Sequence, residues 1–217
     1  MPRPRMHDLD RLLDVAERLV AEGGPERLTV RGLADAAGVS NGVIYHAFGS
    51  RPVLLGQVWR RAARDFLDLQ TEAVDAAEGA GALPAVLAAA DAPAVFAAGR
   101  PHAARVLMYV RRERLIGADV PADLAEAMRV QDRRLLAMLA RLSAALWDRT
   151  DDAAVEAVMM CVVDLPTAVF RRELTAPSAA PGAVSADSRA RLAAAVRAVL
   201  AIAPTPRLCG PPSARPA

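Results

Sequence analysis

The chain has 217 residues, of which 53% are hydrophobic, 24% charged and 4% aromatic, and its formal net charge is +2. This composition can form a sizeable core, in one large domain or in a small domain plus a larger one. Charges interrupt each segment before it reaches the roughly 18 apolar residues of a membrane span, and the N-terminus carries acids where a signal peptide is apolar, so we expect a cytoplasmic protein with no membrane partner.

The positive charge is concentrated in the N-terminal third. Six arginines and one acid, Asp35, lie between Arg27 and Arg64, whereas the residues from Asp65 onward hold 17 arginines and 18 acids. This asymmetry favours a polyanionic partner for the N-terminal third, although a solvated basic face would have the same composition. The two cysteines and three histidines show no disulfide or metal-ligand spacing, so we expect no metal and no cofactor.

Apolar residues recur with helical spacing along the chain, and strand-like alternation is almost missing, which predicts an all-α fold. After a loose basic arm at residues 1–8, the predicted helices span about 8–22, 30–37, 41–48, 51–77, 101–116, 121–147, 151–174 and 185–203. Pro84, Pro93 and Pro101 predict less regular helical pieces between the fourth and fifth of these helices. Pro166 predicts a kink within the helix over 151–174. The tail 204–217 is expected to be disordered.

The stretch 28–55 carries the clearest functional signal. An apolar face on its first short helix is followed by Gly38, which permits a tight turn, and by Ser40, which is placed to cap a second short helix. Val43, Ile44 and Phe48 of the second helix are predicted to face the first. Two short helices joined by a glycine-containing turn form a helix-turn-helix unit. Its second helix leaves four small or polar residues facing outward, where they can meet base edges or phosphates: Asn41, Gly42, Tyr45 and His46.

This stretch resembles the helix-turn-helix of the TetR family of bacterial regulators. The resemblance rests on Thr-Val-Arg-x-Leu-Ala from Thr29, Ala-Gly-Val-Ser from Ala37, Tyr-His-x-Phe from Tyr45 and the pair Ser50 and Arg51. It implies an N-terminal three-helix DNA-binding domain at 1–50 and a larger helical ligand-binding and dimerisation domain at 51–203. It further implies a homodimer that binds a palindromic double-stranded operator, most often as a repressor, and that a small, partly apolar effector releases.

The resemblance also implies roles for the residues that match. Thr29 caps its helix and contacts a phosphate, and Arg31 reaches the DNA backbone or a base edge. Ser40, Asn41 and Gly42 open the recognition helix, Tyr45 contacts a phosphate, and His46 touches backbone or bases. Arg51 stands where the family commonly has lysine and offers a forked phosphate contact. Tyr45 could instead be a packing tyrosine, and Arg60, Arg61 and Arg64 are expected to form a solvated helix face.

Polar groups among apolar neighbours are the candidates for an effector pocket in the body of the chain. We predict Tyr109, Asp164, His102, Trp147 and Met108 as ligand-binding residues. His102 and Trp147 are lesser candidates, as is Gln131, and for each of these residues a role as a satisfied core residue is the favoured alternative. Two apolar stripes could form a four-helix dimer interface, or could pack within one subunit: Val155, Val158, Met159, Val162, Val163, Val169 and Phe170 on one helix, and Leu192, Val196, Val199 and Leu200 on the last.

Two other classes of function compete with a DNA-binding regulator. The sequence has no nucleophile elbow, phosphate-binding loop or acid–base pair, so an enzyme is not expected. A helical protein-interaction module that has kept the helix-turn-helix but no longer binds DNA remains the alternative. Duplex binding discriminates between them, because phosphate contacts make affinity fall steeply with salt.

Overall fold

The computed structural model describes residues 6–110, 115, 121–176 and 182–205. These residues are helical and include no β-strand, which confirms the all-α prediction. Ten α-helices are described: α1 (Met6–Gly23), α2 (Val30–Ala37), α3 (Asn41–Phe48), α4 (Arg51–Glu78), α5 (Ala82–Gly99), α6 (Pro101–Tyr109), α7 (Ala122–Trp147), α8 (Asp152–Met159), α9 (Leu165–Thr175) and α10 (Ala186–Leu200). A short 3₁₀ turn at Pro25–Arg27 precedes α2, and a π-helical segment at Met160–Asp164 joins α8 to α9.

Helices α1 to α3 form the N-terminal head, and its buried residues belong to one continuous core with those of the body. The apolar stripe of α1 is buried against α2, α4 and α6 because its members recur at helical spacing on one face. The buried residues shared by these elements include Leu13, Ala16, Val20, Leu28 and Leu33. The predicted bounds of α2 and α3 agree with the structure, while α1 begins two residues earlier and ends one residue later than predicted.

Helix α4 connects the head to the rest of the chain. Ser50 caps it, because its hydroxyl oxygen accepts a hydrogen bond from the Val53 amide at 3.4 Å. Pro52 lies in the first turn, where a missing N–H costs no helical hydrogen bond. From there α4 continues for 28 residues and packs against α5, α6 and α7, so that one rigid element spans from the head into the body.

The prediction of irregular pieces between α4 and α6 is wrong, since α5 is one continuous helix through Pro93. A proline at this position has no N–H to donate to the carbonyl of Ala89, four residues earlier. The side chain of Gln70 on α4 replaces that donor, with Nε2 at 2.9 Å from the Ala89 oxygen. A donor from another helix therefore supports the helix where its own backbone cannot.

The helix predicted over 151–174 is interrupted, close to the predicted kink. The π-helical segment Met160–Asp164 lies immediately before Pro166, which occupies the first turn of α9. A wider turn of this kind accommodates a proline ring that an α-helical turn would exclude. The helix predicted over 101–116 ends at Tyr109, and Val110 is extended. Residues 111–114 and 116 of that prediction, the arm at 1–5 and the tail 206–217 lie outside the described residues.

The apolar stripes predicted for a dimer interface are largely used inside one chain. Val158, Val162, Phe170, Leu192 and Val196 are buried within the protomer. The alternative reading, in which these faces pack within one subunit, therefore holds for those five residues. The exposed side of the π-helical segment, α9 and α10 includes small, polar or isolated apolar residues: Met160, Asp164, Ala168, Ala190, Ala194 and Ala198.

Two helical stretches are long and apolar enough to cross a membrane by length and composition, Ala82–Gly99 and Asp152–Thr175. Both pack into the helical body: α5 contacts α4, α6, α7, α9 and α10, and its small alanines are buried there. Close packing against five neighbouring helices accounts for the apolar sequence of α5, because a helix apolar on all sides is typical of a core element.

Candidate nucleic-acid interface and body cavity

The helix-turn-helix forms because local signals fix both of its helices. Thr29 caps α2 by accepting a hydrogen bond from the Gly32 amide at 2.9 Å, as predicted. Gly38 adopts a left-handed conformation with φ 68°, which glycine reaches without a steric penalty. Ile44 and Phe48 of α3 are buried against the core of the head. These anchors fix which face of α3 points away from the protein.

The outward face of α3 carries all four polar or small residues predicted there. Asn41, Gly42 and His46 are exposed, and Tyr45 is 56% exposed, so it is not a packing tyrosine. Ser40 occupies the N-cap position of α3 without a side-chain capping hydrogen bond. Its exposed hydroxyl and the N-terminal amides of α3 form a donor-rich end that suits a phosphate oxygen.

Val43 differs from the prediction, because it is 39% exposed and does not face α2. It lies beside the polar residues of the outward face, where an apolar side chain can contact the methyl group of thymine. The apolar periodicity did not reveal the exposure of Val43, because α3 has only eight residues and a weak apolar stripe. The neighbouring residues Val43 and Ile44 could therefore both be assigned to the core.

Arg51 lies at the start of α4, and its guanidinium is engaged within the head. Nε donates to the Leu28 carbonyl at 2.7 Å, and Nη2 donates to the Pro25 carbonyl at 2.7 Å and to Glu26 at 3.2 Å. These bonds hold the loop that leads into α2 against α4. The role of Arg51 in this structure is therefore to position the helix-turn-helix, and a phosphate contact through its remaining nitrogen stays a prediction.

The arginines expected to form a solvated face of α4 have different roles. Arg61 is buried and forms ion pairs with Glu17 at 3.0 Å and Asp14 at 2.8 Å, both on α1. Arg60 donates to Gln57 at 3.0 Å, and Arg64 pairs with Asp65 at 2.7 Å. The prediction is thus wrong for Arg61, whose charge joins α1 to α4 at the base of the head.

A cavity of about 330 Å³ lies in the body between α4, α5, α6, α7, the π-helical segment and α9. Its wall is mainly apolar and includes an edge-to-face pair, Phe66 and Phe96, with ring centroids 5.5 Å apart. Trp59, Leu107 and Leu135 add further apolar surface. The size and lining are those of a site for a small organic molecule.

Of the five predicted ligand-binding residues, Met108 lines this cavity. The other four do not: the Tyr109 hydroxyl donates to the Thr175 carbonyl at 3.3 Å, Asp164 is exposed, and His102 and Trp147 lie elsewhere. Asp164 was chosen because its neighbours in sequence are apolar, yet the helix turns it outward. The lesser candidate Gln131 does line the cavity.

Two amide side chains belong to the cavity wall, the buried Gln70 on α4 and the half-buried Gln131 on α7. Their Nε2 atoms donate to backbone carbonyls, of Ala89 at 2.9 Å and of Arg60 at 2.8 Å. Their Oε1 atoms are buried and have no hydrogen-bond partner among the described residues. Gln70 was missed by the sequence analysis, although a glutamine between Leu67 and Val74 in the buried stripe of α4 is a detectable signal.

Comparison with known proteins agrees with the helix-turn-helix. Residues 12–58 match the profile of bacterial regulatory proteins of the tetR family. The HTH-type transcriptional repressor KstR2 of Rhodococcus jostii (strain RHA1) is 44% identical over 57 residues, and the KstR2 of Mycolicibacterium smegmatis is 41% identical over 59 residues. The first match covers 26% of this chain and 26% of that repressor, so the likeness spans about a quarter of either protein.

Solved structures extend the likeness to the whole fold. A TetR-like transcriptional regulator from Rhodococcus sp. RHA1 superposes with a TM-score of 0.66 at 17% identity, covering 92% of this chain and 99% of the other. The regulator FadR from Bacillus subtilis, in complex with stearoyl-CoA, gives 0.58 at 18% identity, covering 88% and 95%. Residues 12–58 therefore resemble the helix-turn-helix of tetR-family regulators in sequence, and the chain shares its overall fold with these solved regulators.

Proposed function

We propose that the chain is a cytoplasmic, homodimeric regulator of transcription, without enzymatic activity, that binds double-stranded DNA through α3 and responds to a small molecule in the body cavity. The observation that carries this is the outward face of α3, where Asn41, Tyr45 and His46 are exposed while Ile44 and Phe48 anchor the helix. We assign the head to residues 1–50, the body to 51–203 and a tail to 204–217.

The proposed contacts divide into two groups. Thr29, Arg31, Ser40 and Tyr45 are placed to bind phosphates, whose contacts fix register and orientation. A second group sits on the outward face of α3 and is placed to meet base edges in the major groove: Asn41, Gly42, Val43 and His46. A dimer presents two such helices about 34–36 Å apart, so the preferred duplex is a palindrome.

The structure suggests how the two sites communicate. Helix α4 begins at Arg51, which holds the loop before α2, and continues through Arg61, which pairs with α1. The next two turns of α4 supply Phe66 and Gln70 to the cavity. A ligand that favours one position of α4 would shift the population of head positions, and so change operator affinity. Repression with release by ligand is the form that we propose.

The test is selection of a duplex from a random pool with the full chain, followed by a salt titration of affinity. We expect a palindrome, and we expect Tyr45→Ala to weaken binding by roughly 1–3 kcal/mol while the chain stays folded. Arg31→Ala should lower the salt slope by about one phosphate contact. Arg129→Ala is the matched control, since both arginines are exposed and paired with an acid on their own helix.

Arg51→Ala is unsuitable for this test, because it would release the loop before α2 whether or not the chain binds DNA. If the wild-type chain bound no duplex at low salt, the alternative of a protein-interaction module would replace the proposal. If duplex affinity did not respond to any ligand that occupies the cavity, the regulatory part would be wrong and the DNA-binding part would stand.

A further inference from the structure

We propose that the body cavity takes an uncharged, largely apolar molecule that carries hydroxyl or N–H donors, and that Gln70 and Gln131 accept its hydrogen bonds. This inference rests on the proposed function, in which the cavity is the effector site. It concerns the chemical class of the ligand, which the fold alone does not specify.

The first step is the orientation of the Gln70 amide. Gln70 is 1% exposed, and Pro93 leaves the Ala89 carbonyl without a backbone donor from its own helix. Only the NH₂ end of the amide can donate to that carbonyl, at 2.9 Å. A flipped amide would place Gln70 Oε1 against the Ala89 carbonyl oxygen, and the two would repel each other. The hydrogen bond therefore holds Oε1 on the side of the amide that faces away from the Ala89 carbonyl.

The second step is the same argument for Gln131. Its Nε2 donates to the Arg60 carbonyl at 2.8 Å, which fixes the NH₂ end against α4 and leaves Oε1 buried. A buried amide oxygen without a hydrogen bond has lost its hydration without compensation, so a donor on a ligand would stabilise the complex. Two residues on two different helices therefore bring unsatisfied acceptors to the wall of one apolar cavity.

The third step is the charge of the cavity. Its two charged lining residues, Asp132 and Arg171, are already engaged: Arg171 is exposed and donates to the Met108 carbonyl at 3.2 Å, and Asp132 has a partner. Among the residues that the structure describes, the buried part of the wall offers acceptors and apolar surface but no cation to neutralise an anion. A charged group there would lose its hydration without compensation. The favoured ligand is thus neutral in its buried part and supplies the donors that the protein lacks.

The probes that test this are 4-phenylphenol, its methyl ether 4-methoxybiphenyl, and biphenyl, titrated into the full chain by calorimetry. The three share one apolar frame and differ in the donor. We expect 4-phenylphenol to bind at least tenfold more tightly than either of the others, because a site with a fixed acceptor discriminates against ligands that leave it unpaired.

Two variants test whether the preference for a hydrogen-bond donor depends on Gln70 and Gln131. Gln70→Met and Gln131→Met should each reduce the ratio between 4-phenylphenol and its ether, and together should bring it near one. Met108→Leu is the matched control, since it alters the apolar wall and should change the affinities of all three probes alike. Circular dichroism checks that each variant is folded, and the half-buried Gln131 keeps the test available if Gln70→Met does not fold.

Three results would overturn the inference: equal affinity for the phenol and its ether, no binding of any probe up to its solubility, or a donor preference that survives both substitutions. Equal affinity for the phenol and its ether would mean that water donates hydrogen bonds to the Oε1 atoms of Gln70 and Gln131 when a ligand is bound. Duplex binding is measured on the same preparations. A chain that binds duplex through Tyr45 but shows no donor preference refutes this inference alone, whereas loss of duplex binding refutes the proposed function and leaves the ligand class unaffected.

Discussion

Gln70 and Pro93 should be energetically coupled, because the side chain of one compensates for the missing N–H of the other. The hydrogen bond from Gln70 Nε2 to the Ala89 carbonyl is 2.9 Å long and fully buried. Pro93→Ala would restore the backbone donor four residues after Ala89. The carbonyl would then no longer depend on Gln70, so Gln70→Met should be less costly in the Pro93→Ala background than in the wild type.

The magnitude follows from the groups involved. Gln70→Met removes a good hydrogen bond, worth about 1 kcal/mol, but it also removes a buried oxygen without a partner. The first change lowers the free energy of unfolding and the second raises it, so the effect of the single substitution is small. The coupling free energy between Gln70 and Pro93 reports the hydrogen bond alone. We expect the Gln70→Met cost to be smaller by about 1 kcal/mol in the Pro93→Ala background, which is within the range for residues that share a partner.

The assay is urea unfolding of the wild type, both single variants and the double variant, at one fixed protein concentration because a dimer would make stability depend on it. Gln131→Met combined with Pro93→Ala is the control cycle, since Gln131 donates to a carbonyl of α4, whose helix has its own backbone donors there. That cycle should be additive to within roughly 0.5 kcal/mol. Additivity in the Gln70 cycle as well would refute the reasoning.

Three further predictions concern the head, one turn and the buried thiol. Glu17→Ala should destabilise the chain by about 3 kcal/mol in urea unfolding, since it removes the buried partner of a buried guanidinium and leaves the exposed Asp14 as the remaining acid partner. Asp14→Ala, on the same arginine but 69% exposed, should cost under about 1 kcal/mol; similar losses would contradict a buried ion pair. Gly182→Ala should cost roughly 2 kcal/mol or more, because φ is 79° and a Cβ would overlap a backbone carbonyl of α5; Gly99→Ala, in open space, should leave the midpoint unchanged or raised. Burial raises the pKa of the Cys161 thiol from 9.0 to about 11, so the folded chain holds less of the reactive thiolate at pH 9 than the unfolded chain does. With the second cysteine replaced by serine, iodoacetamide at pH 9 should react roughly 50-fold more slowly with the folded chain, and the rate should increase as the pH rises. Equal rates for folded and unfolded chain would show an accessible thiolate.

The helix-turn-helix could be predicted from sequence because its determinants are local. Thr29 finds its partner three residues along the chain, and Gly38 adopts the positive φ that the turn requires. Ile44 and Phe48 follow helical periodicity, which assigns them to the buried face of α3. Each of these signals depends on neighbours within a few residues, so a linear reading captures them.

The body cavity was predicted only in part, through Met108 and the lesser candidate Gln131, because the hydrogen bonds of its polar residues are made with distant partners. Gln70 bonds to a carbonyl 19 residues away, and Gln131 to one 71 residues away. Proximity in sequence was misleading for Asp164, whose apolar neighbours lie on a different face of the helix from its own exposed side chain. Pro93 led to the wrong prediction that the helix is interrupted there. The hydrogen-bond donor that preserves α5 comes from Gln70 on α4, which is distant in sequence.

The sequence by itself determined that this protein is helical, where its second to fourth helices begin, and that two short helices around a glycine-containing turn form a helix-turn-helix. Those features follow from capping, turn glycines and periodicity, which act over one or two turns of chain. Tertiary structure alone decided that Arg51 and Arg61 hold the head together, that five residues of the predicted dimer stripes are buried within one chain, and that two glutamines line a cavity. Each of those outcomes depends on which helices pack together, because a side chain's role is set by the groups that packing brings within hydrogen-bonding distance.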